Sequence, residues 1–371
     1  MASGDKKRRR RRSSAVVLLN AVLTLLVLAI LVVGGIVYYG ISKFYEAGPS
    51  TAQTAFLVNK GSNLSALGTQ LAQQGVIGDG IEPWIFSASI KLLGAHSSKL
   101  LPGQYLLPAG ASMDDVLKIL TETKPQEFFV NVIPGETSWQ VAQRLNDPGE
   151  SLTGDPVTPP LEGSLLAVRH DFFPGDTRQS VLDAMQKKMA DEVADIWAGH
   201  DHSIDDVIKT PQQMVTLASL VEKETGLASE RPEVASVFLN RLRKHMRLQT
   251  DPSVMYGITL GKGKLDRPLT TADLKAKTDY NTYQIDGLPP APIANPGLDA
   301  LNAVAHPAAT NYLYFVAKSS DPSEGHTFAG SYAEHKKNVA LYRKALADDA
   351  AEEAKEALEA EQASEAGDSG Q

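Results

Sequence analysis

The stretch Leu217-Ala-Ser-Leu-Val-Glu222-Lys-Glu224-Thr225 places two carboxylates close together in a run that reads as helix. On a helix, Met214, Leu217, Val221 and Glu224 follow spacings of three and four, so Glu224 lines up with an apolar, core-facing stripe. Glu222 falls about 200° round the same helix, and the two acids cannot share a face. Desolvation on such a stripe raises a carboxyl pKa. An acid that keeps its proton near neutral pH is what protonating a glycosidic oxygen requires. The competing reading is a solvated helix end, because Gly226 follows closely. Glu222 and Lys223 read as surface or ion-pair residues.

Groups suited to binding a sugar cluster downstream. Asn240 and Arg241 end an amphipathic segment, and Arg247-Leu-Gln249-Thr250-Asp251-Pro252 forms a turn dense in hydrogen-bonding groups. Tyr280-Asn281-Thr282-Tyr283 follows, then Gly287-Leu-Pro-Pro290 and Pro292 to Gly297. Aromatic rings stack on pyranose faces, planar amides hold hydroxyl pairs, and proline stiffens the loops that carry them. An ordinary surface loop has the same composition. Asp251 is the best second carboxylate for a hydrolase, although an acid in Thr-Asp-Pro also suits a turn. His306 before Pro307 reads as a turn residue and His326 as a strand residue, with substrate contact the alternative for each.

Other chemistries find no support. The chain has no cysteine, which removes disulfides, thiol nucleophiles and cysteine-ligated metal sites. No HExxH spacing, G-x-S-x-G, P-loop or dinucleotide fingerprint occurs, so neither metal nor cofactor is expected. The net charge of -8 is unevenly placed, with acid gathered from Asp348 to Asp368 and base from Lys6 to Arg12. No nucleic-acid-binding signature is present.

The elements that must position these residues start with an uncharged apolar run, Ala15 to Ile41. At about 1.5 Å per residue it exceeds a hydrocarbon core of roughly 30 Å. The basic run ahead of it places the N-terminus in the cytoplasm by the positive-inside rule, and everything beyond Lys43 outside. A cleaved signal peptide is the rival, but the run is long and no A-x-A site follows. A strand–Gly–hydroxyl–helix pattern then occurs three times: at Phe56 to Leu71, Tyr105 to Leu120 and Phe128 to Leu145. Such units resemble LysM glycan-binding modules, or form a plain spacer. The expected organisation is a cytoplasmic basic tail (1–14), a transmembrane helix (15–41), a linker (42–54) and a small LysM-like α+β module (55–146). An α+β catalytic domain (147–345) and an Ala/Glu-rich, disordered tail (346–371) complete it. Within the catalytic domain, 147–180 reads as a connection, and helices are expected at Ser180–Trp197, from Pro211, and from Pro232. Loops follow Asp251, then strands at Tyr312–Val316 and His326–Phe328, and a last helix from Tyr332.

Taken in order, Leu217 to Thr225, Ala228-Ser-Glu-Arg231, Val234 to Leu242, Met246 to Pro252, Tyr280 to Tyr283, Gly287 to Pro290 and Ala305-His-Pro307 resemble the MltG-type (YceG-like) endolytic murein transglycosylases. The resemblance is dense from Gln213 to Val339. It implies that the second acid of Glu-Lys-Glu-Thr, Glu224, is catalytic, the residue chosen above on helical geometry. It also implies cleavage of the MurNAc–GlcNAc bond of nascent peptidoglycan, leaving 1,6-anhydro-MurNAc ends. Glycan strands and the plasma membrane are the implied partners, with peptidoglycan synthases of the elongation machinery beside them. Asn240, Arg241, Gln249, Thr250, Asp251, Tyr280, Asn281, Thr282 and Tyr283 are the candidates for substrate binding. One departure stands out: Ser164-Leu-Leu-Ala-Val-Arg-His-Asp171 replaces the family's aromatic run with Pro-Asp-Thr-Tyr, which puts the packing there in question. A peptidoglycan hydrolase and a non-catalytic, membrane-tethered wall-binding scaffold remain as rivals.

Overall fold

The structure is a computed structural model that describes residues 14–59, 61–62, 64–92, 100–147 and 151–368. The basic run Lys6 to Arg12 and the last residues, 369–371, lie outside the described residues. The chain divides into two compact units, Met1–Glu127 and Phe128–Gln371.

The first unit opens with α1 (Ser14–Tyr45). Every residue from Val16 to Tyr39 is exposed, an arrangement that water disfavours and a bilayer accommodates. The helix continues past Ile41 because Phe44, near its end, is buried in the unit's core. That core lies among β1 (Thr54–Val58), α2 (Leu64–Gln73), α3 (Glu82–Leu92), β2 (Gly103–Leu107) and α4 (Met113–Glu122). β1 and β2 pair antiparallel with Phe56 opposite Tyr105, both buried. Helix α3, which buries Ile85, Phe86 and Ile90 on one face, was not anticipated. Ser112 starts α4 with a capping box to Asp115.

The second unit contains β3 (Phe128–Asn131), α5 (Ser138–Leu145), β4 (Arg169–Phe172), α6 (Arg178–Ala198), α7 (Pro211–Glu224), α8 (Arg231–Arg243), α9 (Asp251–Thr259), α10 (Thr271–Lys275), α11 (Leu298–Ala305), β5 (Tyr314–Ala317), β6 (His326–Ala329) and α12 (Tyr332–Asp368). β3 pairs antiparallel with β4, and β5 with β6. The third strand–helix copy, β3 and α5, therefore belongs here and not to the first module. Its partner strand comes from the segment read as a connection, of which residues 148–150 lie outside the described residues. Within the divergent stretch 164–171, Leu165, Leu166, Ala167 and His170 are buried, while Arg169 and Asp171 are exposed. Leu165 and Ala167 pack with Val141 and Met185, while Leu166 joins a second cluster with Leu217 and Leu301.

Helix α7 runs through that second cluster, buried on all sides from Met214 to Val221, and packs on α6, α8, α9 and α11. Helices α9, α10 and α11 occupy the region expected to be loops. Their turns rich in Pro, Gly and Asn hid short helices that tertiary packing stabilises. The last helix continues into the Ala/Glu-rich tail as far as Asp368.

Candidate active site

Thr210 caps the start of α7 by accepting from the Gln213 amide, and Pro211 occupies the first turn. Glu224 is the last residue of the helix, with Thr225 as its C-cap. The buried helix thus delivers one carboxyl at its end, where unpaired backbone carbonyls disfavour a negative charge. Glu224 lines a cavity of about 350 Å³ together with Phe238, Arg241, Leu248, Gln249, Asp251, Tyr283, Phe315 and His335.

Burial raises the Glu224 carboxyl above its ordinary value of 4.5. A hydrogen bond from Thr250 opposes that rise, the neighbouring charge of Asp251 adds to it, and the charges of His326 and Arg241 reduce it. Thr250 is the N-cap residue of α9, yet its side chain makes no capping bond. Its Oγ1 donates to Glu224 Oε1 instead. The Thr250 backbone is fixed from behind: its amide donates to Thr282 Oγ1 (2.9 Å), and Ser253 Oγ donates to its carbonyl (2.8 Å). The Ser253 and Thr282 hydroxyls are 2.8 Å apart, and both residues are fully buried. This hydroxyl cluster sets the position of the Thr250 hydroxyl, the one donor to Glu224 among the described residues.

The polar part of the wall is tied down by hydrogen bonds. Arg241 donates through Nε to Leu313 O (2.7 Å) and through Nη1 to Leu248 O (2.9 Å), and its guanidinium stands 5.2 Å from the Tyr314 ring. Tyr283 Oη donates to Asp251 Oδ1 (2.6 Å), and burial with this bond holds the phenol protonated. Gln249 adopts a left-handed backbone, φ 55°, a strained conformation of the kind found at functional sites.

Of the residues proposed from sequence for substrate binding, Arg241, Gln249, Asp251 and Tyr283 meet around Glu224, with Thr250 bonded to it. The others do not line the cavity. Asn240 donates to Thr310 O (2.9 Å) and Tyr312 O (3.1 Å), tethering the approach to β5. Asn281 is fully buried, and its Nδ2 donates to Asp273 O (3.0 Å) and Ala276 O (2.6 Å). Thr282 is fully buried in the hydroxyl cluster, and Tyr280 packs against Tyr256 with ring centres 4.9 Å apart. These amides and hydroxyls serve the backbone, a use that composition cannot separate from sugar binding. Asp251 is no turn residue but the first residue of α9.

Glu222 has the opposite environment to Glu224. It pairs with Arg231 (2.8 Å) and accepts from the Gly297 amide (2.9 Å) ahead of α11. Its side chain is 3% exposed, so the expected ion pair is internal. Lys223 reaches Gly135 O (3.2 Å).

Phe238, Leu248, Phe315 and His335 line the cavity without having been singled out. Three are apolar, and His335 lies far along the chain on α12. His326 is held by Glu230, through its ring Nδ1 (2.8 Å) and its amide (2.7 Å). His306 caps α11 and is exposed. His200, His202 and Asp205 bring three ligand-type atoms within 4.8 Å of one another, a grouping the sequence reading did not pick out; none of the three lines the cavity.

A sequence profile of the YceG-like family matches residues 56–341. The endolytic murein transglycosylase of Bacillus subtilis is 32% identical over 342 residues, covering 83% of this chain and 90% of that protein. The protein of the same name in Streptococcus pneumoniae D39 is 29% identical over 330 residues, covering 76% of this chain but 57% of its own longer sequence. The crystal structure of a YceG-like protein from Listeria monocytogenes is 27% identical, with a TM-score of 0.47, and covers 78% of this chain and 99% of that one. With the profile spanning most of its length and a relative matched nearly end to end, this chain belongs to the YceG-like family.

Proposed function

We propose that this protein is a membrane-anchored endolytic lytic transglycosylase. It cleaves the MurNAc–GlcNAc linkage of nascent peptidoglycan, leaves 1,6-anhydro-MurNAc ends, and so terminates strand elongation. Family membership supports the reaction class. One structural observation carries the assignment of the site: Glu224 meets an open cavity with a carboxyl that burial biases toward its protonated form.

A single carboxyl group in two roles suffices. Protonated Glu224 donates to the leaving glycosidic oxygen while positive charge develops at C1 of MurNAc. The resulting carboxylate takes the proton of the C6 hydroxyl, whose oxygen then bonds to C1. No water is consumed, and the acid ends protonated as it began. The Thr250 hydroxyl follows this cycle, donating most strongly when Glu224 is ionised. Arg241, Gln249, Asp251 and Tyr283 are assigned as substrate contacts. Thr250 positions Glu224, while Asn240, Tyr280, Asn281 and Thr282 maintain the frame.

Asp251 in the same cavity supports the alternative of hydrolysis, which ordinarily uses two carboxylates. Digestion of uncrosslinked glycan strands followed by mass spectrometry separates the readings. Transglycosylation gives anhydro ends, and hydrolysis gives products heavier by one water with reducing ends. The Glu224→Gln variant is expected to bind strands, keep its fold and cleave nothing. Strands bound but never shortened by the wild type would favour a scaffold.

The basic run before α1 supports a cytoplasmic N-terminus and an extracytoplasmic position for the chain beyond α1. The first unit's strand–helix–helix–strand frame supports reading it as a LysM-type glycan-contacting module. Peptidoglycan synthases of the elongation machinery are the fitting protein partners, since the substrate is their product.

A further inference from the structure

His335 has no role in the mechanism above, yet it lines the same cavity as Glu224. Its place is well defined. Glu334 Oε2 accepts from the Gly330 (3.2 Å) and Ser331 (3.3 Å) amides, and the His335 amide donates to Ser331 O (3.0 Å), fixing the first turn of α12. The imidazole stacks on Tyr314 with ring centres 5.0 Å apart and planes 20° from parallel. Tyr314 in turn lies beside the Arg241 guanidinium.

The ring's hydrogen bonding is incomplete. Nδ1 is enclosed and has no partner among the described residues. A buried polar atom left unpaired is costly, and such atoms call for an explanation in function. Enclosed acceptors without partners are tolerated better than enclosed N–H groups, so the ring proton belongs on Nε2. Burial and the Arg241 charge lower the imidazole's pKa from 6.5. The neutral ring therefore offers one donor, at a nitrogen that is not among the enclosed, unpaired atoms.

Arg241 is in the same position. Its Nε and Nη1 are turned to protein oxygens, while Nη2 has no hydrogen-bond partner among the described residues. Two donors without acceptors thus flank one cavity. The group that satisfies both is an oxygen acceptor on the ligand, and on a MurNAc–GlcNAc strand the strong neutral acceptors are amide carbonyls.

We propose that His335 is a substrate-contacting residue whose Nε2–H donates to an acyl carbonyl oxygen, N-acetyl or lactoyl, of the bound glycan. This rests on the reading of the cavity as a peptidoglycan site and adds a determinant of which sugar substituent it accepts. A bare polysaccharide lacking acyl groups leaves the donor unsatisfied and is discriminated against.

Two substitutions in the full-length protein in detergent separate contact from architecture. His335→Phe keeps a ring to stack on Tyr314 and removes the N–H. His335→Gln restores an N–H donor. With uncrosslinked strands, His335→Phe is expected to lower kcat/KM about tenfold, chiefly through KM, with Tm within about 2 °C of wild type. His335→Gln is expected to recover most of that loss. Unchanged kcat/KM in His335→Phe, or equal losses in both variants with a lowered Tm, would overturn the proposal. The same comparison in a Glu224→Gln background reads strand binding without turnover. About tenfold weaker binding on adding His335→Phe supports the contact even if the wild type proves inactive, and equal binding overturns it even if the wild type cleaves.

Discussion

Glu222 and Glu224 are the same side chain two residues apart, and their surroundings give them opposite work. Glu222 is neutralised by Arg231 and a backbone amide. Among the described residues Glu224 has one hydroxyl donor and a nearby carboxylate, and burial raises its pKa. Because its folded pKa is raised, Glu224 contributes stability below its unfolded value that is lost as pH rises through the folded value. Activity that needs the protonated acid falls over the same window, so the alkaline limb of kcat/KM reports this group. Two neighbours should move that limb in opposite directions. Asp251→Asn removes a charge that raises the Glu224 pKa, and the limb shifts to lower pH. Thr250→Val removes a bond that lowers it, and the limb shifts to higher pH. Limbs that move together, or stay fixed in both variants, would show that another group is being read. The helical spacing of Met214, Leu217, Val221 and Glu224 made the acid legible in the sequence. Thr250's partnership with it was not, because an N-cap threonine ordinarily bonds its own helix.

At the scale of elements, α7 is held by internal electrostatics as well as by apolar packing. Glu222 ties it to Arg231 of α8 and to the backbone entering α11, while Arg231 also reaches Asp299 of α11 at 3.3 Å. Removing one partner of a buried pair leaves the other uncompensated, which costs about 3–5 kcal/mol. Glu222→Ala should therefore lower the denaturation midpoint markedly, whereas Glu224→Gln should not. Equal midpoints for the two variants would refute this division of labour. Long periodic helices such as α6 and α7, and the β5–β6 pair, were readable from pattern alone. Helices α9 to α11 were not, because each is short and its buried face is defined by partners distant in sequence. The segment 164–171 was hard to read for the same reason: its apolar residues face two cores, so no single periodicity describes them.

Over the whole molecule, the fold class and the apolar anchor were evident from composition and length, while the division between the units was not. Strand β3 looks like a third copy of the earlier units, and only its pairing with β4 assigns it to the second. Helix α1 serves two environments, with an exposed apolar length and a terminal Phe44 built into the first unit's core. The absence of cysteine makes the topology directly testable. In intact cells a membrane-impermeant maleimide should label Ala52→Cys, which lies on an exposed position beyond α1, and should spare Ser3→Cys. Labelling in the reverse pattern would place the chain beyond α1 in the cytoplasm, away from any wall polymer.

The central claim concerns one proton, and carbon-13 NMR titration of glutamate carboxyls in the chain from Ser42 onward measures it directly. The resonance of residue 224 is identified by its loss in Glu224→Gln. It should titrate with a midpoint above the ordinary 4.5 and move lower in Asp251→Asn. A midpoint at or below 4.5 would mean that the carboxyl is ionised before any sugar arrives, and Glu224 could not be the acid.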